Sequence, residues 1–348
     1  MDSPLIFSDP PPELGPLREA IAAAWRADET ECVEARIAEA TLPPEMQRRI
    51  EETATRLVAE VRRHAREAGG LDAFIHEYDL SSREGVALMC LAEALLRVPD
   101  PETADRLIAD KLFDADWERH LGRSGSLFVN ASTWALMLTG RLMRPEEGGD
   151  LGGAVRRLAA RGGKPLVRQA VRQAMRIIGR QFVMGRSIEE ALERAGEGER
   201  RGYRFSFDML GEGARTAADA ERYFRAYEQA VAAIGKAAQA GGLTRPGISV
   251  KLSALHPRYQ YSQRDRVMAE LTPRLRALAL AALRSGIGLT IDAEEADRLD
   301  LSLDLFEAVY RDPDLAGREG GWDGFGMVVQ AYQKRAPLVI DWLAALAR

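Results

Sequence analysis

The sequence predicts an α/β protein in which an all-helical N-terminal region precedes a C-terminal half of alternating strands and helices. Three observations carry that prediction. From about residue 13 to residue 200 nearly every periodic segment repeats its apolar residues at helical spacing. From Tyr203 onward, short apolar runs beginning at Tyr203, Gly247, Gly288 and Gly324 are each followed by one amphipathic, helix-length segment. Each of those runs also ends on a polar or charged residue. Regular β–α alternation argues for a parallel sheet with right-handed crossovers. An eight-stranded barrel and an open doubly wound sheet both fit that pattern. No G-x-G-x-x-G follows the first strand, which counts against a dinucleotide-binding sheet.

In chain order, residues 1–42 read as an arm, extended at first by Pro4, Pro10, Pro11 and Pro12. Residues 43–150 read as a helical domain. Pro43 and Pro44 open a helix over 46–64 whose stripe is Ile50, Ala54, Leu57, Val58 and Val61. Ser81-Ser82-Arg83-Glu84 caps the next, carrying Val86, Leu88, Met89, Leu91, Leu95 and Leu96, and Pro99 and Asp100 stop it. Pro101 and Thr103 open another through Leu107, Ile108 and Leu112. Glycines at 148, 149, 152, 153, 162 and 163 mark the boundary. A connector, 151–202, holds helices over 166–184 and 187–195. The remainder, 203–348, places strands at 203–208, 247–252, 288–292 and 324–330, with helices at 217–240, 263–285, 294–310 and 337–347. The strands carry few charges, as expected where both faces are covered.

Composition excludes several function classes. The 348 residues carry a net charge of -5, which argues against general nucleic-acid binding. Two cysteines, Cys32 and Cys90, are too few for a disulfide framework, and four scattered histidines suit no metal site. No signal peptide opens the chain and no run approaches the roughly 18 apolar residues of a membrane span, so a cytoplasmic, globular protein is expected.

The chemistry gathers at the strand ends: Asp208 and Glu212, Lys251, Asp292, and Gln330. In a βα barrel such positions converge on one mouth. Strand ends are also simply where burial stops, an even match for any single residue. Lys251 and Asp292 are harder to dismiss, because each interrupts an apolar strand and needs a partner or ligand. A cation, carboxylates and an amide around one pocket suit a zwitterionic substrate and a polar heterocycle. Lys251 is then either a Schiff-base nucleophile of a lyase or an ion-pair partner for a substrate carboxylate beside a redox cofactor. A non-catalytic helical scaffold is the third reading. Other residues take plainer roles. His256 orients the backbone before Pro257, and Glu294-Glu295 complements a helix N-terminus. Trp25, Trp117, Trp134 and Trp342 are core or domain contacts, and Cys90 is buried and inert. Arg168, Arg172, Arg176 and Arg180 form a solvated face.

Long motifs then point to a family. Phe205-Ser-Phe-Asp-Met-Leu-Gly-Glu212, Gly247-Ile-Ser-Val-Lys-Leu-Ser-Ala-Leu-His-Pro-Arg-Tyr259, Gly288-Leu-Thr-Ile-Asp-Ala-Glu-Glu-Ala-Asp-Arg-Leu299 and Phe325-Gly-Met-Val-Val-Gln-Ala-Tyr-Gln-Lys-Arg335 resemble the proline dehydrogenase domain of bacterial proline utilisation A. Residues 77–100 resemble the helical domain that precedes that barrel, so the likeness runs from about residue 15 to the end.

The resemblance implies a (βα)8 barrel, of which this chain holds the first four βα units, with FAD at its mouth. It implies oxidation of L-proline to 1-pyrroline-5-carboxylate, with electrons passing to a membrane quinone. By the same likeness Asp292 is the catalytic aspartate and Lys251 pairs with the proline carboxylate. Glu212 gates the mouth, while Ala293, Val328 and Gln330 contact the flavin; no metal is implied. The family's later flavin-phosphate strand and arginine pair have no counterpart here, which predicts a fragment of a bifunctional enzyme that is inactive alone. The arm begins without a basic β-strand before it, so no ribbon-helix-helix module and no DNA-binding role is expected. Peripheral association with the inner membrane and homo-oligomerisation stay open.

Overall fold

The structure is a computed structural model that describes residues 13–67, 102, 103, 106, 183–316 and 322–348. Contacts divide the chain into two compact units, residues 1–41 with 185–348, and residues 42–184. In the second unit the described helix is α3, Pro44–Glu67, which carries the stripe from Ile50 to Val61. The helices expected over 81–98 and 166–184, the glycine-rich boundary, the Arg168–Arg180 row, Cys90, Trp117 and Trp134 lie outside the described residues. Among the described residues no helix is long and apolar enough to cross a membrane.

The first unit is an α/β layer structure. Strands β1 (Ser206–Asp208), β2 (Gly247–Val250), β3 (Gly288–Ile291) and β4 (Phe325–Met327) form one parallel sheet in sequential order. Around them run α1 (Pro16–Ala24), α2 (Glu29–Ala40), α4 (Ile188–Glu199), α5 (Ala217–Gln239), the single turn α6 (Leu252–Leu255), α7 (Arg264–Ser285), α8 (Leu299–Tyr310), the single turn α9 (Pro313–Ala316) and α10 (Ala336–Leu346). A strand order that never reverses, joined by crossovers of one hand, puts the connecting helices on the same face.

Alternation along the strands separates the two faces. Ile248, Val250, Leu289 and Ile291 are fully buried, with Val231 and Ile234 of α5 and Leu275 and Leu278 of α7 equally buried in the helical layer. Ser249 and Thr290, one step out of phase, occupy the opposite face and are only half-buried. Gly247 and Gly288 lie side by side there, each at a strand start where a Cβ would come within 3.4 Å of the neighbouring strand's carbonyl oxygen. Gly286 adopts the left-handed conformation (φ 68°) that ends α7 and turns the chain into β3.

Two sequence expectations change in detail. The first strand ends at Asp208 as expected but starts only at Ser206, while β2 ends two residues, β3 one residue and β4 three residues before the expected ends, so that Lys251, Asp292 and Val328 follow their strands directly. Glu294 and Glu295 do not sit in a helical first turn: α8 starts only at Leu299, after a 3₁₀ turn at Ala296–Arg298. Instead Glu294 accepts the backbone N–H of Ser253 at 2.9 Å and pairs with Arg298 at 2.8 Å, pinning the loop after β2 to the loop after β3. Dipole complementation is therefore not its role.

The arm's first helix is built into this unit. Ile21 is fully buried, and Arg18 donates to Asp304 at 2.9 Å and to the carbonyl of Asp300 at 3.1 Å, its guanidinium lying over the Trp342 ring. Trp25 covers the guanidinium of Arg335 at 4.4 Å. Lys334 donates to the carbonyl of Ala27 at 2.8 Å and pairs with Glu29 at 2.6 Å. Trp342 and Trp25 thus make cation–π contacts that link α1 and its C-terminal end to the rest of this unit.

Candidate functional site

The sheet's register sets the site. Val250, Ile291 and Met327 are neighbours in the ladder, so the residues that follow them, Lys251, Asp292 and Val328, stand at one level on adjacent strands. The ladder's last bonds confirm that level: Asp292 N–H donates to the carbonyl of Val250 at 2.9 Å, and Val328 N–H to that of Ile291 at 2.9 Å.

Lys251 is the centre. Its side chain is 13% exposed, and its ammonium donates to Asp292 Oδ2. Asp208 at the end of β1 approaches at 3.3 Å and Glu212 at 3.9 Å. Burial pulls the ammonium toward neutrality, but the hydrogen bond to Asp292 and the charge of Asp208 outweigh it and raise its pKa above the ordinary lysine value. Lys251 is therefore a protonated cation throughout the working range of pH. The other oxygen of Asp292 accepts the N–H of Ala293 at 3.0 Å, so both of its carboxylate oxygens are held.

Three supports position this centre. Gly211, at φ 120°, lets the β1 loop turn beneath Tyr223, where a Cβ would meet the ring at 2.9 Å. The loop is then tied to the β2 loop by Gly213 N–H to Ser253 Oγ at 3.2 Å and Ala214 N–H to Ser253 carbonyl at 2.8 Å, which brings Glu212 toward Lys251. Behind the lysine, Tyr227 of α5 accepts the Lys251 backbone N–H on its hydroxyl at 3.2 Å; burial pushes that phenol up to about 12. Tyr227→Phe removes the acceptor of a sequestered N–H and is expected to cost about 1–3 kcal/mol in denaturant unfolding. An unchanged midpoint would show that this bond contributes nothing.

Beside the charged cluster runs a cleft lined by Asp292, Ala293, Met327, Val328, Gln330 and Gln333. Each residue expected to touch a cofactor thus borders one concavity, while Lys251 pairs with Asp292, which lines it, and Glu212 approaches Lys251 at 3.9 Å. His256 stands apart: it is buried, accepts the N–H of Arg258 on Nδ1 at 3.1 Å and meets Glu270 at 3.1 Å. That is the backbone-orienting role expected of it. Sequence reasoning named neither Tyr227, Ser253 nor Gln333. A tyrosine on the apolar stripe of α5 was the available signal, since a buried hydroxyl requires a partner; the other two carried none.

Comparison with known proteins follows the same line. Residues 15–62 match the family model described as the proline utilization A proline dehydrogenase N-terminal domain. Residues 70–182 match the model described as the DNA-binding domain of proline dehydrogenase, and residues 191–348 the model for proline dehydrogenase. The bifunctional protein PutA of Salmonella typhimurium is 51% identical over 334 residues, which is 95% of this chain and 25% of that protein. The bifunctional protein PutA of Rhizobium meliloti is 51% identical over 349 residues, 99% of this chain and 28% of that protein. A crystal structure of Bradyrhizobium japonicum proline utilization A superposes with a TM-score of 0.60 at 49% identity, over 97% of this chain and 32% of that one. The chain spans about a quarter of the length of the curated relatives it matches. Successive family models from residue 15 to residue 348, with about half of all positions identical over nearly the whole chain, place it in the proline utilization A family, with a proline dehydrogenase domain from residue 191.

Proposed function

We propose that residues 203–348 supply the first four βα units of a (βα)8 barrel that oxidises L-proline to 1-pyrroline-5-carboxylate with FAD. The observation that carries this reading is Lys251: a mostly buried, protonated ammonium at a strand end, beside a cleft walled by apolar side chains and an amide. An ammonium has three donors. Asp292 engages one and Asp208, at 3.3 Å, a second, while Glu212 stands at 3.9 Å, so the third is left for an incoming carboxylate. The surrounding carboxylates repel a simple anion but suit a zwitterion, whose own ammonium they attract.

The residues bordering the cleft suit the edge of a flavin ring in their chemistry. Met327, Val328 and Ala293 offer apolar surface, and Gln330 offers an uncharged hydrogen-bonding group at the edge. A flavin held there would supply the two-electron acceptor for the hydride that leaves the proline ring carbon as the ring nitrogen gives up its proton. The chain's own residues position the reactants. Lys251 fixes the substrate carboxylate, and Asp292, the proposed catalytic carboxylate, holds that ammonium in place. Glu212, 61% exposed on a loop, closes on the mouth as a gate. Electrons then pass to a membrane quinone, an exchange that calls for peripheral contact with the inner membrane.

The same observation weighs against the Schiff-base reading, because a nucleophilic lysine needs its pKa lowered, whereas the carboxylates of Asp292 and Asp208 drive that of Lys251 up. The test is proline-dependent reduction of a dye by the complete gene product with added FAD. Dye reduction that requires both proline and FAD supports the proposal. Borohydride trapping of a carbonyl compound on Lys251, without such reduction, would overturn it.

A further inference from the structure

We infer that Gln333 is a positioning residue that holds the amide of Gln330 with its NH₂ group toward the cleft, through a hydrogen-bond relay that starts at Arg335. The inference rests on the flavin reading of that cleft. Its polarity is set by the arginine, since a guanidinium has five donors and no acceptor.

Arg335 is 1% exposed and cannot turn: Nη1 donates to Asp300 at 2.8 Å, Nη2 donates to the Ala296 carbonyl, and Trp25 covers its face. Its Nε–H points at Gln333 Oε1, 3.3 Å away. With its oxygen committed to Arg335, Gln333 sends its own NH₂ in the other direction, where it donates to Gln330 Oε1 at 2.8 Å. The hydroxyl of Tyr332 donates to the same oxygen at 3.3 Å. Both lone pairs of that oxygen are therefore filled, and the NH₂ is the polar group left for a ligand. Turning the Gln330 amide over would set donor against donor at the Gln333 contact, whereas the Tyr332 hydroxyl, able to accept as well as donate, follows either orientation. A free amide offers either end equally; this one is committed to being a donor. The ligand edge that meets Gln330 is then an acceptor, a carbonyl oxygen or an unprotonated ring nitrogen.

The experiment uses the complete gene product and reads FAD affinity and the visible spectrum of the bound flavin. In Gln333→Glu the carboxylate still accepts from Arg335 but also accepts from Gln330, so the Gln330 amide turns over and presents its oxygen. FAD is expected to bind about tenfold more weakly, the effect of one hydrogen bond lost. Gln330→Leu is expected to lose the same factor, with the same change in the flavin spectrum. The double variant is expected to lose no more than either single, because both remove one contact. Should Gln333→Glu fail to fold, Gln333→Met removes the same donor without adding charge and is expected to weaken FAD about threefold, as the freed amide samples both orientations. Unchanged affinity in the Gln333 variants, or losses that add in the double variant, would overturn the relay while leaving Gln330 as a flavin contact. Unchanged affinity in Gln330→Leu would overturn the relay at its target. A wild-type protein that takes up no FAD would overturn the flavin reading and the relay with it.

Discussion

Lys251→Met is expected to lower kcat/KM for L-proline on the order of a hundredfold, the effect of losing one charge-assisted hydrogen bond of up to about 3 kcal/mol. Methionine keeps most of the stem's volume and apolar contact, so the loss reports the ammonium. The loss is expected mainly in KM, because a carboxylate anchor holds substrate and transition state alike. The substitution also leaves Asp208, Asp292 and Glu212 facing one another without their shared cation, which further disfavours an anionic group. The pH dependence follows from the same contacts. The lysine pKa is raised in the folded protein, so the protonated form is favoured. The stabilisation it brings is complete below the unfolded value of 10.5 and is lost only as the pH passes the higher folded value. Lys251 should therefore add no alkaline limb to kcat/KM below about pH 10. Steady-state dye reduction across pH 6 to 10 checks both statements. A Lys251→Met enzyme within threefold of wild type would sink the carboxylate-anchor role.

The strands, and the two charges that pair at their ends, were legible because they break a simple rule, although the sequence did not pair those charges with each other. A lysine inside Ile-Ser-Val-Lys-Leu and an aspartate inside Leu-Thr-Ile-Asp-Ala are charges embedded in apolar runs, and a charge in that position must be compensated. Placing both at strand ends required only period-two alternation and the next loop. What stayed hidden depends on partners far away in sequence. Arg18 meets Asp304 across 286 residues and Lys334 meets Ala27 across 307, and nothing in the local pattern of α1 announces either contact. An arm opened by four prolines reads as peripheral until its arginine and tryptophan are seen against α8 and the segment before α10. Glu294 misled for a different reason. Two adjacent acids before an apolar helical stripe are the usual signature of a helix start, but the intervening 3₁₀ turn frees Glu294 to serve the neighbouring loop. Gln333 was invisible because its role is directional. An amide's contribution there depends on which end it turns to its neighbour, and only the buried arginine decides that.

That arginine also carries a large expected effect on stability. Arg335→Met is expected to lower the free energy of unfolding by about 3 kcal/mol, the lower end for removing one member of a buried ion pair. Volume is not the cause, since methionine fills the space and tolerates irregular surroundings. The cost comes from the acceptors left behind. Asp300 Oδ2, the Ala296 carbonyl and Gln333 Oε1 each lose a donor, and the Trp25 ring loses the cation over its face. Asp300 keeps a second cation, Arg18 at 3.9 Å, which is why the loss stays at the lower end. Arg335→Lys retains the charge but replaces a planar fork by a point donor, so about half the loss should return. Arg63 makes the contrast. It pairs with Glu60 at 2.7 Å, shorter than the Arg335 contact with Asp300, yet both partners are more than half exposed. Arg63→Ala should therefore change stability by less than about 0.5 kcal/mol. Denaturant titrations of the three variants, with unchanged slopes, measure the ordering. Equal midpoints for Arg335→Met and Arg63→Ala would mean that the buried arginine does not hold α1 and the loop after β3 to the sheet.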